Sequence, residues 1–193
     1  MWFYRFGQVV CDIFFTILFR LRAVGVENIP LQGPVMLCSN HISNLDPPLL
    51  GTKVPRKVHF MAKAELFDVP LLAPLIRALG AFPVKRGGVS KEAIRTAIGL
   101  LKDGNVMCVF PEGTRNNLAA MGKKGAATLA LRAGASVVPI AIVGDYRLFR
   151  RMTVVYGQPL DLSAYAEGTS EQIEQATEVI MNAIRDLLAR HRN

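Results

Sequence analysis

Acidic side chains are in short supply: 15 Asp and Glu face 23 Lys and Arg, leaving a net charge of +8. Such an excess favours an anionic partner, and nucleic acid, an acidic membrane surface or a phosphorylated substrate each supplies one. Cysteine is scarce as well. Cys11, Cys38 and Cys108 are an odd number, each in or beside an apolar run, with no CxxC and no Cys/His pair at zinc spacing. That argues against a disulfide framework and a structural metal, and for buried free thiols in a reducing compartment. No internal repeat, low-complexity tract or linker interrupts the 193 residues. Half of them are apolar, which excludes a disordered chain and suffices for a substantial single core.

What is present begins with residues 1–19, MWFYRFGQVVCDIFFTILF, followed by Arg20 and Arg22. A signal peptide is not indicated, because no small-residue cleavage site follows the apolar run. A spanning helix is barely long enough and puts Asp12 mid-segment, at a cost of about 2.5–3.5 kcal/mol at a bilayer centre. Helical spacing fits better: Arg5, Gln8, Asp12, Thr16 and Arg20 form one narrow polar stripe. Around it lie Trp2, Phe3, Phe6, Phe14, Phe15 and Phe19, a wide apolar arc that must be buried in lipid or in protein. The aromatics and terminal arginines suit insertion at a membrane interface, with a long surface helix of the domain as the plain alternative.

Beyond this segment apolar runs alternate with turn signals. Strands are expected at Val35–Cys38, Lys57–Ala62, Ala81–Val84, Val106–Phe110, Val137–Val143 and Thr153–Tyr156. Glu65–Leu79 is helix-like but interrupted by Pro70 and Pro74. Ser90 can cap a helix to Lys102 with Gly104 as its stop, and a second helix runs from Lys124 to Arg132 before Gly134. Thr169 and Gln172 form a capping box for a closing helix whose buried face is Ile173, Ala176, Ile180, Ala183, Ile184 and Leu187. Strands alternating with helices predict an α/β domain with a largely buried sheet, whose ligands gather beyond the carboxyl ends of the strands.

Two polar loops, Asn40–Asp46 and Pro111–Asn117, each follow an apolar strand, so they can share one cleft. In the first, His41 can take a proton from an alcohol if a carboxylate holds its ring. The five-residue step to Asp46 rotates about 140° on a helix. It works only if His41 lies in the loop and Asp46 opens the next helix, where Pro47 suits the first turn. Equally, Asp46 is only an N-cap and His41 an ordinary loop residue. In Phe110-Pro111-Glu112-Gly113-Thr114-Arg115, a glycine turn exposes a carboxylate and a phosphate-matching guanidinium; a surface Glu–Arg pair reads the same way. Lys85 and Arg86, and later Lys123 and Lys124, either bind phosphate or are merely solvated. Pro139, inside an apolar strand, marks an edge or a bulge. His59 and His191 have no partner nearby in sequence.

Together these blocks resemble the glycerolipid acyltransferase family, in particular its 1-acylglycerol-3-phosphate acyltransferases. Asn40, His41 and Asp46 match its Asn-His-x4-Asp signature; Gly80, Phe82, Val84 and Arg86 match the second block; Phe110 through Arg115 match Phe-Pro-Glu-Gly-Thr-Arg without change; Val138 and Pro139 match the fourth. The likeness runs from about residue 25 to residue 145. Asn116, where serine is more usual, and Gly122, where an aromatic often stands, depart from the pattern.

The resemblance implies an α/β fold with a mixed, mostly buried β-sheet flanked by helices. Residues 1–24 form an amphipathic membrane-associating helix and residues 25–193 the acyltransferase domain. It implies catalysis by His41 and Asp46. Substrate is bound by Arg86, Glu112, Gly113, Thr114, Arg115 and Lys123. Neither metal nor cofactor is expected. Acyl-CoA or acyl carrier protein is the donor, lysophosphatidic acid the acceptor, and membrane lipids are partners, on the cytoplasmic face of the cell membrane. A thioester hydrolase is the nearest rival, though water needs no phosphate-binding arginines. A non-catalytic membrane-binding protein explains the helix and the charge but not the conjunction of loops. Nucleic-acid binding explains only the charge.

Overall fold

A computed structural model describes residues 2–84, 91–111 and 124–191 of the chain. The first helix, α1 (Trp2–Phe19), is followed by a short strand, β1 (Arg22–Val24). Then come β2 (Val35–Ser39), α2 (Asp46–Gly51), β3 (Val58–Lys63), α3 (Leu72–Ala78), β4 (Ala81–Val84) and α4 (Lys91–Lys102). The remainder is β5 (Val106–Val109), α5 (Gly125–Ala133), β6 (Ser136–Val143), β7 (Thr153–Tyr156) and α6 (Ser170–His191). Among the described residues the strands form one sheet in the order β1-β7-β6-β2-β5-β3-β4. Strands β2 to β6 are mutually parallel; β7 runs antiparallel to β6 and parallel to β1, so the sheet is mixed.

The uninterrupted apolar runs of β2, β5 and β6 follow from burial on both faces. Val35 and Leu37, Val106 and Cys108, and Ile140 and Ile142 pack towards α1 and α2, with Phe15, Phe19, Leu49 and Leu50. Met36 and Cys38, Met107 and Val109, and Val137 pack on the other face against Ala97, Ala127, Ala130, Ile180 and Ile184 of α4, α5 and α6. Burial pushes the Cys38 thiol up to about 12 and the Cys108 thiol well above its usual range, so both remain protonated. The ends of the helices obey local rules. Gly134 closes α5 at φ 61°, and Thr169 and Gln172 exchange the two hydrogen bonds of a capping box before α6. The Glu65–Leu79 stretch splits at Pro70 into a 3-10 turn, Ala64–Phe67, and α3, with Pro74 in the first helical turn.

One expectation is corrected. Pro139 does not mark an edge: it is buried in β6, a strand flanked by β7 and β2. Its carbonyl accepts from Gly157 N–H at 2.8 Å, so its missing N–H points to that same side, where the ladder to β7 has already ended at Ile140–Tyr156. On α1 the aromatic arc is divided. Phe15 and Phe19 are core residues, whereas Trp2 and Phe6 are 78% and 61% exposed.

The first three residues of the polar stripe of α1 are bound to the domain. Arg5 donates to Pro55 O at 2.6 Å, Gln8 to Gly51 O and Val54 O at 2.8 and 2.7 Å, and Asp12 meets Lys53 at 2.7 Å. Thr16 and Arg20, the rest of the stripe, are exposed.

Candidate active site

Neighbouring strands β2 and β5 run parallel, yet the chain leaves β2 for α2 on one face and reaches α5 on the other face after β5. Divergence of that kind opens a crevice at the carboxyl ends of the strands. The Asn40–Asp46 loop lies there. Asn40, buried, fixes it by exchanging two hydrogen bonds with the main chain of Ile142 in β6, at 3.0 and 2.8 Å.

His41 Nδ1 lies 2.6 Å from Asp46 Oδ2. The same oxygen accepts Ile42 N–H and Ser43 N–H, at 2.7 and 2.8 Å, while Oδ1 accepts the Tyr146 hydroxyl at 2.7 Å. Asp46 is the first residue of α2, as the His41-to-Asp46 step requires, but its carboxylate turns back into the loop and makes no cap bond to the helix. Its side chain is wholly buried, that of His41 14% exposed. Burial pushes the Asp46 carboxyl up, but donation from His41, Ser43, Tyr146 and Ile42 outweighs it, and the group lies below its usual value. Burial, reinforced by the bond to Asp46, drives the Tyr146 hydroxyl far above its usual range, so it remains a donor.

An ionised Asp46 assigns the Nδ1–H tautomer to His41, which leaves Nε2 with a lone pair for an incoming proton. The imidazole stacks on Phe110, with centroids 4.1 Å apart and planes 20° from parallel. A carboxylate on one edge and a ring on one face restrict its rotation. Chemically, the arrangement is a general base with a buried electrostatic support.

Arg86, Glu112, Gly113, Thr114, Arg115 and Lys123 lie outside the described residues. The strands leading to the segments of Arg86 and of Glu112–Arg115, β4 and β5, end at Val84 and Val109 and are both parallel to β3, so the chain enters both segments from the edge that carries His41. His59 stands apart on β3, where burial, with Lys57 nearby, holds it below the usual histidine range. Among the described residues no group of three or more His, Cys, Asp or Glu is placed to hold a metal ion.

Sequence pattern did not reveal Tyr146, which lies 100 residues beyond its partner; nor did it give Phe110 a role against His41. An apolar cavity of about 270 Å³ adjoins the site, lined by Asn44 of its loop, Pro47 of α2, and Tyr4, Cys11, Phe60 and Leu79.

The chain is 30% identical over 191 residues to a 1-acyl-sn-glycerol-3-phosphate acyltransferase of Bacillus subtilis, covering 95% of this chain and 96% of that protein. An enzyme of the same name from Streptococcus pneumoniae is 32% identical over 170 residues, 83% of this chain and 63% of the other. The crystal structure of the 1-acyl-sn-glycerophosphate (LPA) acyltransferase PlsC from Thermotoga maritima superposes with a TM-score of 0.70 at 28% identity, over 99% of this chain and 79% of that one. The acyltransferase family model matches residues 20–143, a stretch holding every element that shapes the crevice and both members of the His41–Asp46 pair. This chain therefore belongs to the acyltransferase family.

Proposed function

We propose that the protein transfers a fatty acyl group from a thioester donor to the free sn-2 hydroxyl of 1-acylglycerol 3-phosphate, giving phosphatidic acid. The observation that carries the mechanism is the His41–Asp46 pair, 2.6 Å apart with the carboxylate wholly buried. The acceptor is suggested by the name shared by full-length relatives. His41 Nε2 takes the hydroxyl proton as the oxygen attacks the thioester carbonyl. Asp46 holds the ring and stabilises the imidazolium. The tetrahedral intermediate then collapses, the carbon–sulfur bond breaks, and the proton on His41 passes to the departing thiolate. The acyl group thus moves directly, without an acyl-enzyme. Arg86, Arg115 and Lys123 are assigned to the acceptor phosphate, and Glu112, Gly113 and Thr114 to placing its glycerol. The apolar cavity beside Asn44 suits an acyl chain.

The same reading places α1 flat in the membrane interface of the cytoplasmic face. Spanning would strip Arg5, Gln8 and Asp12 from their partners on the domain. Its outward side shows Trp2, Phe6, Val9, Ile13 and Ile17, each more than half exposed. Large apolar side chains contribute about 1.5–3 kcal/mol each on full burial, so lipid insertion offers a gross gain on the order of 10 kcal/mol.

The test is an assay of the purified protein on vesicles carrying 1-acylglycerol 3-phosphate, with acyl-CoA and acyl-acyl carrier protein supplied separately. Phosphatidic acid is expected with at least one donor. Release of free fatty acid with the acceptor unconsumed would make the protein a hydrolase.

A further inference from the structure

The loop between β6 and β7, residues 144–152, has features that acyl transfer does not use. Leu148 and Phe149 at its tip are 60% and 65% exposed. Arg147, Arg150 and Arg151 flank them, and Arg20 and Arg22 emerge beside the loop's attachment to α1; all five are exposed. Among these, Arg147 is paired with Asp145 at 2.9 Å.

This tip is held in place. At the neck Gly144 adopts φ 110°, and a Cβ there would lie 2.8 Å from Arg151 O, so the two ends of the loop touch. Phe149 N–H donates to Leu18 O at 2.6 Å and Met152 N–H to Phe19 O at 2.9 Å, which fastens the loop to the end of α1. Arg22 N–H completes the seam on Met152 O at 2.9 Å. Phe149 itself has φ 62°, a left-handed conformation that penalises a bulky side chain and favours glycine or asparagine. A strained backbone thus holds out an aromatic ring that is largely uncovered by the described chain. The adjoining end of α1 is apolar on its outer side too, with Ile17 62% exposed.

We propose that this loop is a second membrane-contacting element: Leu148 and Phe149 enter the interface of an anionic bilayer, and the five arginines bind its lipid phosphates. The proposal rests on the reading of α1 as lying in that interface. Occupancy by lipid follows from the pattern, an apolar tip ringed by guanidiniums and continuous with the outer face of α1. It also has a consequence for the site. Tyr146, two residues before Leu148, holds Asp46, so the second contact lies within a few residues of the catalytic pair.

Flotation of the full-length protein tests this with two vesicle types: phosphatidylcholine alone, and phosphatidylcholine containing one third phosphatidylglycerol. Phe149→Gly keeps the N–H to Leu18, relieves the strained φ and removes the ring. It should bind both vesicles roughly 10-fold more weakly while its thermal midpoint stays level or rises, a pairing that misfolding cannot produce. Arg150→Gln with Arg151→Gln should weaken binding to the anionic vesicles by roughly 20-fold and leave binding to neutral ones unchanged. Ile13→Ser with Ile17→Ser probes α1 separately and should release the protein from both. Loop variants that bind like the unaltered protein, while the α1 variant is released, overturn the loop proposal and leave the reading of α1 intact. An unaltered protein that floats with neither vesicle overturns both.

Discussion

Two pairs of titratable side chains flank α2, almost equally close and very unequal in character. At its start, His41 and Asp46 meet at 2.6 Å with the carboxylate wholly buried and accepting from four donors. Just beyond its end, Lys53 and Asp12 meet at 2.7 Å with side chains 35% and 31% exposed. Distance does not distinguish them; surroundings do. Water screens the second pair and competes for it, so it does little more than steady α1 on the domain. The first has exchanged water for fixed donors, so removing any member leaves a buried polar group without its partner. Reactive chemistry belongs with the pair whose carboxylate cannot relax.

The sharpest test of that contrast is His41→Ala. General-base catalysis contributes typically 10²–10⁴-fold, so turnover should fall by about 3–5 kcal/mol of transition-state stabilisation, with vesicle binding and folding retained. A well-folded variant with near-normal steady-state rates would remove His41 from the mechanism.

Next in size is Asp46→Asn. Turnover should drop about 10²-fold or more, because the amide cannot balance an imidazolium. Stability should change with pH in a defined direction. The folded-state pKa of Asp46 is depressed, so the charged form stabilises the fold above the unfolded value of about 4. That contribution is lost as pH falls through the folded pKa. Urea midpoints followed from neutral to acid pH should therefore decline less steeply for Asp46→Asn. Parallel curves would mean that folding leaves the Asp46 carboxyl at its ordinary value.

Tyr146→Phe sharpens the comparison by removing one donor and keeping the ring against Phe19. A hydrogen bond to a charged group is worth about 1.5–3 kcal/mol, of which we expect roughly tenfold in kcat and little change in KM. With Oδ1 undonated, the Asp46 carboxyl loses one of the donors that hold it below its usual value. Unaltered turnover in a well-folded Tyr146→Phe protein would confine Tyr146 to packing.

The smallest effect is expected from Lys53→Met. Stability should change by less than about 1 kcal/mol and only at low salt, and turnover of a dispersed short-chain acceptor should be unaltered. A loss as large as that of Asp46→Asn would erase the distinction between the two pairs.

Much of this was legible because it is local. The strands containing β2, β5 and β6 show as apolar runs, and the capping box of α6 lies within four residues. The His41–Asp46 pair closes over five residues, with Pro47 marking the helix start. What escaped is non-local or weakly patterned. β1 spans three residues with an exposed first position, too short to show alternation. Tyr146 finds Asp46 only because β6 brings the end of its strand beside β2. The periodicity of α1 located its stripe but not what the stripe touches, since a polar row satisfies headgroups and main-chain carbonyls alike. Pro139 misled because an edge is the usual remedy for a missing N–H, whereas here the neighbouring ladder stops one residue earlier.

The placement of the three thiols grades how the molecule opens. Cys11 sits on α1, half-buried at the cavity wall, while Cys38 and Cys108 lie buried on neighbouring central strands. A thiol reagent applied in a pulse reads two separate events. Lifting α1 off the domain exposes Cys11 and spares Cys38, which lies on the far face of the sheet. Only loss of the sheet delivers all three. The protein thus contains its own clock for distinguishing a helix that leaves its seat from a fold that comes apart, with no label added.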